Sequence, residues 1–568
     1  MPNGILNRYT VNPVNIDLPR SEFKMNHSHK FSANLGECIP TACFEILPGD
    51  TFSINTSKVV RMQPLVCPIM DNLYLDQYWF FVPQRLIHAH MPQFFGENDT
   101  APWAQTTTYY LPQIQVPSGG YDVGTIADHL GVPPKQGAGR TINALPFRAY
   151  ASIMDSWFRD ENLENPVQVS TGDTTVTGVN TGDQVTDIQK GGLPFIACKF
   201  QDLFTTALPS PQKSANPVTF SLAGDAPVSI RNKMAVNYND VYVPYVSGQT
   251  PLGSVYGMFQ SDGTNWLYKG MGSGKHNAVI SNNELNTDNT STTSGGYSGI
   301  APMNLFADMS SVTQFNVNEL RSAFALQRFL EKSARGGTRY IELVQAMFGC
   351  TSSDYRYMRP EYLGGSRTPI NISSVENMTN TSDNVTPVGS VAGMSVTGDT
   401  SSDFSKSFTE HGYLMQISVL RHMPSYQNGI PKMFLKKEML DTYFPSFANI
   451  GEVGITKDEL YFNSTEATGK QIFGYQEAWY EYRNVQNSIS GELRSNATTP
   501  LDMWHLADDY ASTPTLSANW IREDKSVLDR ALAVTSSTSN QYYADIYFDV
   551  NCARVMPMYS IPGLIDHH

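Results

Sequence analysis

A chain of 568 residues has room for three or more domains at about 100–200 residues each. Only 16% of its residues are charged and 11% are aromatic, with Gly, Pro, Ser, Thr and Asn abundant; this excludes a helical bundle and favours a β-rich, loop-rich protein. The formal net charge of −14 excludes a protein that coats nucleic acid over its whole surface, so a polynucleotide partner needs a local basic patch or a separate basic helper.

The chain begins MPNGILNRYTVNPVN, without the charged start and continuous apolar core of a secretory leader, and no run of about 18 apolar residues predicts a membrane-spanning helix. Residues 1–40 read as an N-terminal arm. Within it Arg20, Lys24, His27, His29 and Lys30 form the one notable basic cluster, which suits contact with phosphate or a solvated arm. Next comes FEILPGDTFSINTSKVVRM, residues 44–62. Its Pro48-Gly49-Asp50 turn feeds a run in which Phe52 and Ile54 alternate with polar residues, predicting a strand with one buried face. A second strand is predicted over Leu73–Val82. The pairs His27/His29 and His88/His90 would each present two imidazoles to one side of a strand. No third metal ligand is near, so hydrogen-bonding histidines are the simpler reading.

The segment LPFRAYASIMDSWFRDENL has Pro146 in a first turn and Phe147, Tyr150, Ile153, Met154 and Trp157 spaced for one apolar helix face. Residues 169–192 form a polar insertion, a short strand is predicted at Val218–Leu222, and residues 223–300 form a larger insertion ending in low-complexity sequence. The aromatics Tyr242, Tyr245, Trp266, Tyr268 and Tyr297 suggest that the larger insertion is a folded excursion. Its string GMGSGKH imitates a phosphate loop but has Lys269 and His276 at two defining positions, and no apolar strand is predicted before it. Asn318 is positioned to cap a second helix, with Leu320, Ala323, Phe324 and Leu330 on one face and Gly336-Gly337 as its stop. Ile341, Val344 and Phe348 mark a third, ended by Gly349. All three stripes are expected to pack against a sheet.

Strands are predicted again at Tyr413–Val419 and Tyr542–Val550. In the last, Tyr543, Asp545, Tyr547 and Asp549 share one face and Ala544, Ile546, Phe548 and Val550 the other. Six cysteines, with no C-x-x-C pair, read as reduced and buried. Neither a nucleophile elbow nor a carboxylate pair in an apolar context is visible, and adjacent Asp508 and Asp509 point apart on either a helix or a strand, so no enzyme activity and no cofactor or metal is expected.

Several long blocks closely resemble the major capsid protein of microviruses, specifically the gokushovirus branch of small single-stranded DNA phages. They are LPGDTF, PIMDNLYLDQYWFFVPQRL, LPFRAYASIMDSWFRDENL, LFTTALPSPQK, NELRSAFALQRFLEKSARGGTRYIELVQAMFG, TPVGSVAG, HGYLMQISVLRHMPSYQNGIPKMF, LDMWHLADDY and CARVMPMYSIPGLIDH. Ser210, the apolar middle of AYASIMDSWF and the final His567-His568 depart from the family pattern and bear on branch or host. The resemblance implies an eight-stranded viral jelly roll, two packed antiparallel sheets with long loop insertions and a few short helices. The strand after Pro48-Gly49-Asp50 is expected to be its first. It further implies a T=1 icosahedral shell of sixty copies in the virion, assembled in the host cytoplasm around circular single-stranded DNA. The implied partners are a small basic DNA-binding peptide, a scaffolding protein and a bacterial surface receptor, and no membrane. By the same resemblance, residues 223–300 form a protrusion at each three-fold axis that attaches to the host. Two other classes stand beside this one: a solitary carbohydrate-binding jelly roll using the aromatics of the insertion, and a β-rich hydrolase with a carboxylate pair in a cleft.

Overall fold

In the computed structural model, residues 20–98, 107–214, 228–230, 256–261, 266–271, 277–281, 284–287, 301–302, 305–307, 317–378 and 388–559 are described. The chain divides into two compact units, residues 1–213 with 330–568, and residues 214–329.

The first unit is built on ten strands: β1 (Arg20–Lys24), β2 (His27–Ala33), β3 (Ile39–Ile46), β4 (Thr51–Met62), β5 (Leu73–Pro83), β6 (Glu361–Pro369), β7 (Ile372–Glu376), β8 (Val391–Ser407), β9 (Gly412–His422) and β10 (Tyr542–Val555). They make a six-stranded sheet ordered β1-β10-β4-β8-β7, with β2 also on β10, and a four-stranded sheet ordered β6-β5-β9-β3. Every one of these pairings is antiparallel. With β1 and β2 taken as one interrupted strand, the chain crosses between the sheets at each step except β5 to β6 and the hairpin β7 to β8, as a jelly roll does. The sequence places the roll's first strand after the Pro-Gly-Asp turn, but β1, β2 and β3 precede it. Polar and charged residues hide β1 and β2, and from Arg20 onward the arm drawn at residues 1–40 consists largely of strands of the roll.

Alternation makes the core. β4 turns Phe52, Ile54, Val60 and Met62 inward and β10 turns Ile546, Phe548 and Val550 inward, against Leu75, Trp79, Phe81 and Leu414 of the other sheet. Trp79 sits edge-on to Phe548, ring centroids 5.9 Å apart, and its Nε1 donates to Asp403 Oδ2 at 2.7 Å. Lys58, fully buried between the sheets, donates from Nζ to Gln77 Oε1 at 2.8 Å and Ser366 Oγ at 2.6 Å and pairs with Asp399 at 3.4 Å. These bonds satisfy the cation and fix the register of the two sheets. At the Pro-Gly-Asp turn Gly49 takes φ +92°, and buried Asp50 accepts from Leu47 N and pairs with Arg554 at 2.7 Å.

The outer face of the four-stranded sheet is buried a second time. Phe80, Val82, Tyr413, Met415, Ile417 and Val419 pack under α1 (Leu145–Ile153), which contributes Phe147, Ala149, Tyr150 and Ile153. α2 (Val317–Gly336) starts one residue before the predicted cap, so Asn318 lies in its first turn, and Gly337 at φ +94° follows its end. α3 (Tyr340–Phe348) ends at Gly349, φ 68°, as expected. Packing against a sheet holds for α1 but not for α3, which has no buried residue and leaves Phe348 74% exposed. An apolar stripe states which face avoids water, not what covers it.

In the second unit, residues 284–287, 277–281, 266–271, 256–261 and 301–302 form a five-stranded sheet in that order, and residues 305–307 pair with 228–230. The insertion drawn at 223–300 falls inside this unit, and the strand predicted at 218–222 lies outside the described residues. A strand, Trp266–Met271, does lead into GMGSGKH, but it runs in an antiparallel ladder, not into a helix, and residues 272–276 lie outside the described residues.

Candidate functional site

The basic cluster of the N-terminal strands is sorted by the two-residue period of β-structure. Lys24 lies opposite Asn551 and Lys30 opposite Asp545, which places both, with Arg20 opposite Val555, on the open face of the six-stranded sheet. His27 and His29 lie opposite Phe548 and Ile546 and turn the other way. The His27 ring stacks on Phe548 at 4.9 Å and meets Phe44 edge-on. His29 is largely enclosed; burial and then the neighbouring His27 pull its pKa down, with Asp128 opposing. Three members of the cluster therefore share a surface and two are packing residues.

That open face carries more than the sequence cluster suggested. β4 contributes Ser53, Asn55, Ser57, Val59 and Arg61, β10 contributes Tyr543, Asp545, Tyr547 and Asp549, and β8 contributes Thr400 and Ser402. Tyr543 and Tyr547 are 43% and 45% exposed, while Ala544, Ile546, Phe548 and Val550 are buried, so the predicted alternation of this strand is observed. Gly398, opposite Val59, has open space where a side chain would stand, and there a shallow groove of about 590 Å³ runs between Ser57, Thr400, Asp545 and Tyr547. Arg20 Nη2 donates to Gly49 O at 2.6 Å and Thr51 Oγ1 at 2.7 Å, and Lys30 pairs with Asp545 at 3.0 Å. The cations Arg20, Lys24, Lys30 and Arg61 face the acids Glu22, Asp545 and Asp549. The face is therefore nearly neutral, rich in hydroxyls, with two phenol rings able to stack on flat ligands. Arg61 and the tyrosines have no sequence link to the basic cluster, because strand pairing brings them in from 31 or more positions away along the chain.

The other candidates resolve differently. His88 Nε2 and His90 Nδ1 meet the two oxygens of Asp173 at 3.0 and 2.7 Å, so residues 169–192 supply a hydrogen-bonding carboxylate, and no group that could hold a metal is found among the described residues. Glu161 and Glu342 line a cavity of about 910 Å³, but Arg339 Nη1 stands 3.3 and 3.6 Å from them, an ion triad that secures the start of α3. Asp508 and Asp509 do diverge, one to buried Lys199 and one to Asn428. Of the cysteines, Cys38, Cys67 and Cys552 are buried, Cys43 and Cys198 are partly so, and Cys350 is exposed; no disulfide joins the described ones. Trp266 and Tyr268 occupy alternate positions of one strand, and Tyr242, Tyr245 and Tyr297 lie outside the described residues. No described helix is long and apolar enough to cross a membrane.

The family described as Capsid protein (F protein) matches residues 13–564. The chain is 37% identical over 551 residues to capsid protein VP1 of Spiroplasma virus 4, with 96% of each chain covered. It is 34% identical over 603 residues to capsid protein VP1 of Chlamydia phage 1, covering 99% of this chain and 98% of that one. To capsid protein VP1 of Bdellovibrio phage phiMH2K it is 36% identical over 547 residues, covering 96% and 95%. With a jelly roll at its centre and a full-length match of this kind, the chain belongs to the capsid protein (F protein) family of gokushovirus-type microviruses.

Proposed function

We propose that this major capsid protein closes into a T=1 icosahedral shell of sixty copies around a circular single-stranded DNA genome, and that its insertion at residues 223–300 forms the three-fold protrusion that attaches to the host. One observation carries the reading: a rigid double-sheet roll holds two long excursions, residues 84–360 and 423–541, and the whole is similar to viral capsid proteins over nearly its full length. A shell subunit meets several different neighbours, and long ordered loops on a stiff scaffold provide such surfaces. A separate small basic peptide supplies most genome neutralisation, consistent with the net charge of −14, while the open face of the six-stranded sheet meets the strand. Assembly takes place in the host cytoplasm with a scaffolding protein, and the protrusion grips a bacterial surface receptor.

Electron microscopy of cells expressing the chain with its neighbouring genes tests this reading: small isometric shells with density at the three-fold axes are expected. Discrete monomers under every assembly condition would overturn it. Replacing residues 224–299 with a short Gly/Ser linker is expected to leave shells intact and abolish host adsorption, since insertions at loop tips are tolerated by the scaffold.

A further inference from the structure

Beside the roll, where the loop Ala197–Gln201 meets the excursion between β9 and β10, five ionisable side chains are gathered. Lys199 Nζ lies 2.5 Å from Asp508 Oδ2, with both side chains 4% exposed. Tyr510 Oη donates to the same Oδ2 at 2.7 Å, Trp520 Nε1 donates to Tyr510 Oη at 2.9 Å, and the Lys199 ammonium stands 5.0 Å over the Trp520 ring. Cys198 bridges Arg522, with Lys199 N donating to Ile521 O and Glu523 N to Ala197 O, so Lys199 and Glu523 leave one face of this short ladder as diagonal neighbours. Glu523 and His422 are fully buried, 2.7 Å apart but poorly aligned for a hydrogen bond, and the remaining nitrogen of His422 has no hydrogen-bond partner.

We propose that Lys199 Nζ and Asp508 Cγ condense to an intramolecular isopeptide bond. Proton transfer from Nζ to the Asp508 carboxylate that it touches leaves a neutral amine with a free electron pair. That pair adds to Asp508 Cγ, and Tyr510 Oη–H, held by Trp520, stabilises the negative charge that develops on Oδ2. Oδ1 departs as one water with the two protons released by Nζ, the first taken up by the carboxylate and the second passed on as the C–N bond forms. An ammonium and a carboxylate thus become one neutral secondary amide plus water, and no oxidant or other reactant is needed. Two effects favour a condensation that open solution disfavours: the amine is already held against the carboxylate through Oδ2, and the product removes two charges from a buried site. The roll's own buried lysine offers a contrast. Lys58 is occupied by Gln77 and Ser366, and its acid, Asp399, is 36% exposed.

The bond joins residues 309 apart in sequence and so ties the excursion after β5 to the excursion after β9. Intact mass spectrometry of the denatured full chain tests it. The expected mass is below the sequence mass by one water, about 18 Da, with digestion yielding a branched peptide that joins Lys199 to Asp508. Lys199→Arg is expected at its sequence mass. Wild-type protein at its full sequence mass, with Lys199 and Asp508 in separate linear peptides, would overturn the proposal whether or not the variant folds. A dehydrated chain without a branched peptide, cleaved by hydroxylamine, would do the same by locating a succinimide instead.

Discussion

The two sheets of the roll share one core and differ in what lies on their other sides. The four-stranded sheet is covered by α1 and its flanking loops, so β5 reads LYLDQYWFFVP and β9 reads GYLMQISVLRH, with nearly every residue buried. The six-stranded sheet is open, so β4 reads TFSINTSKVVRM and β10 reads YYADIYFDVNCARV, buried and exposed in turn. Two-sided burial removes the need for polar residues on the back of a strand, and one-sided burial restores it. The same fold therefore writes two different sequence signatures, and each identifies the side of the molecule from which it comes.

A charge placed on the back of each sheet breaks this comparison most sharply. Met415, fully buried on the outer face of β9, meets α1 and its neighbours. Met415→Lys leaves an uncompensated charge in that layer and is expected to cost about 3–5 kcal/mol, a large share of the stability of any domain. Val59, 44% exposed on the open face, is the matched control. Val59→Lys is expected to stay within about 0.5 kcal/mol. Urea unfolding of the two purified variants measures both, and equal losses would show that the open face is covered in the isolated chain.

The contrast also explains which parts of the molecule were legible in the sequence. The Pro-Gly-Asp turn, β5 and the alternation of β10 announced themselves through turn chemistry and strict patterning. β8 did not: VAGMSVTGDTSSDFSKS is dominated by Gly, Ser, Thr and Asp and reads as a loop. It is a strand because β4 pairs with it from Val396 to Ser407, a long ladder supplied by the neighbour and not by local propensity. β2 was hidden in the same way, its HSHKFSA mixing charge with a single aromatic. The basic cluster was visible as composition, but adjacency in sequence does not reveal facing. Only the pairing with β10 separates Lys24 and Lys30 from His27 and His29. The contact of Lys199 with Asp508 has no local signature because its halves come from different excursions.

Acidity sharpens the comparison on the covered side. His422 ends β9 against Glu523. Burial lowers its pKa, but the negative charge of Glu523 outweighs this and the net shift is upward. A histidine whose folded pKa lies above its unfolded value near 6.5 contributes stability that is fully present below that value and lost as pH rises through the folded pKa. Wild type is therefore expected to exceed His422→Gln in urea midpoint by most in mildly acidic buffer, with the margin narrowing as pH rises. A margin independent of pH would show that the ring is neutral throughout and serves only in packing.

The smallest effect on stability is expected on the open face, and there it separates folding from function. Lys30 and Asp545 form an exposed pair, 70% and 45% accessible, and such pairs contribute about 0–1 kcal/mol. Lys24→Ala, Lys30→Ala and Arg61→Ala together should thus leave the unfolding curve nearly in place. If this face meets single-stranded DNA, each lost phosphate contact lowers the slope of log affinity against log salt by about 0.7. Fluorescence anisotropy with a labelled oligonucleotide, repeated across salt concentrations, should then give a shallower line for the triple variant. The neutral, hydroxyl-rich character of the face predicts a second feature: Tyr543→Ala and Tyr547→Ala should weaken binding at every salt concentration without changing the slope, because stacking releases no counterions. A slope unchanged by the cation variant and an affinity unchanged by the tyrosine variants would assign genome contact to another surface. The alternation of β10 would then record only that this side of the roll faces water.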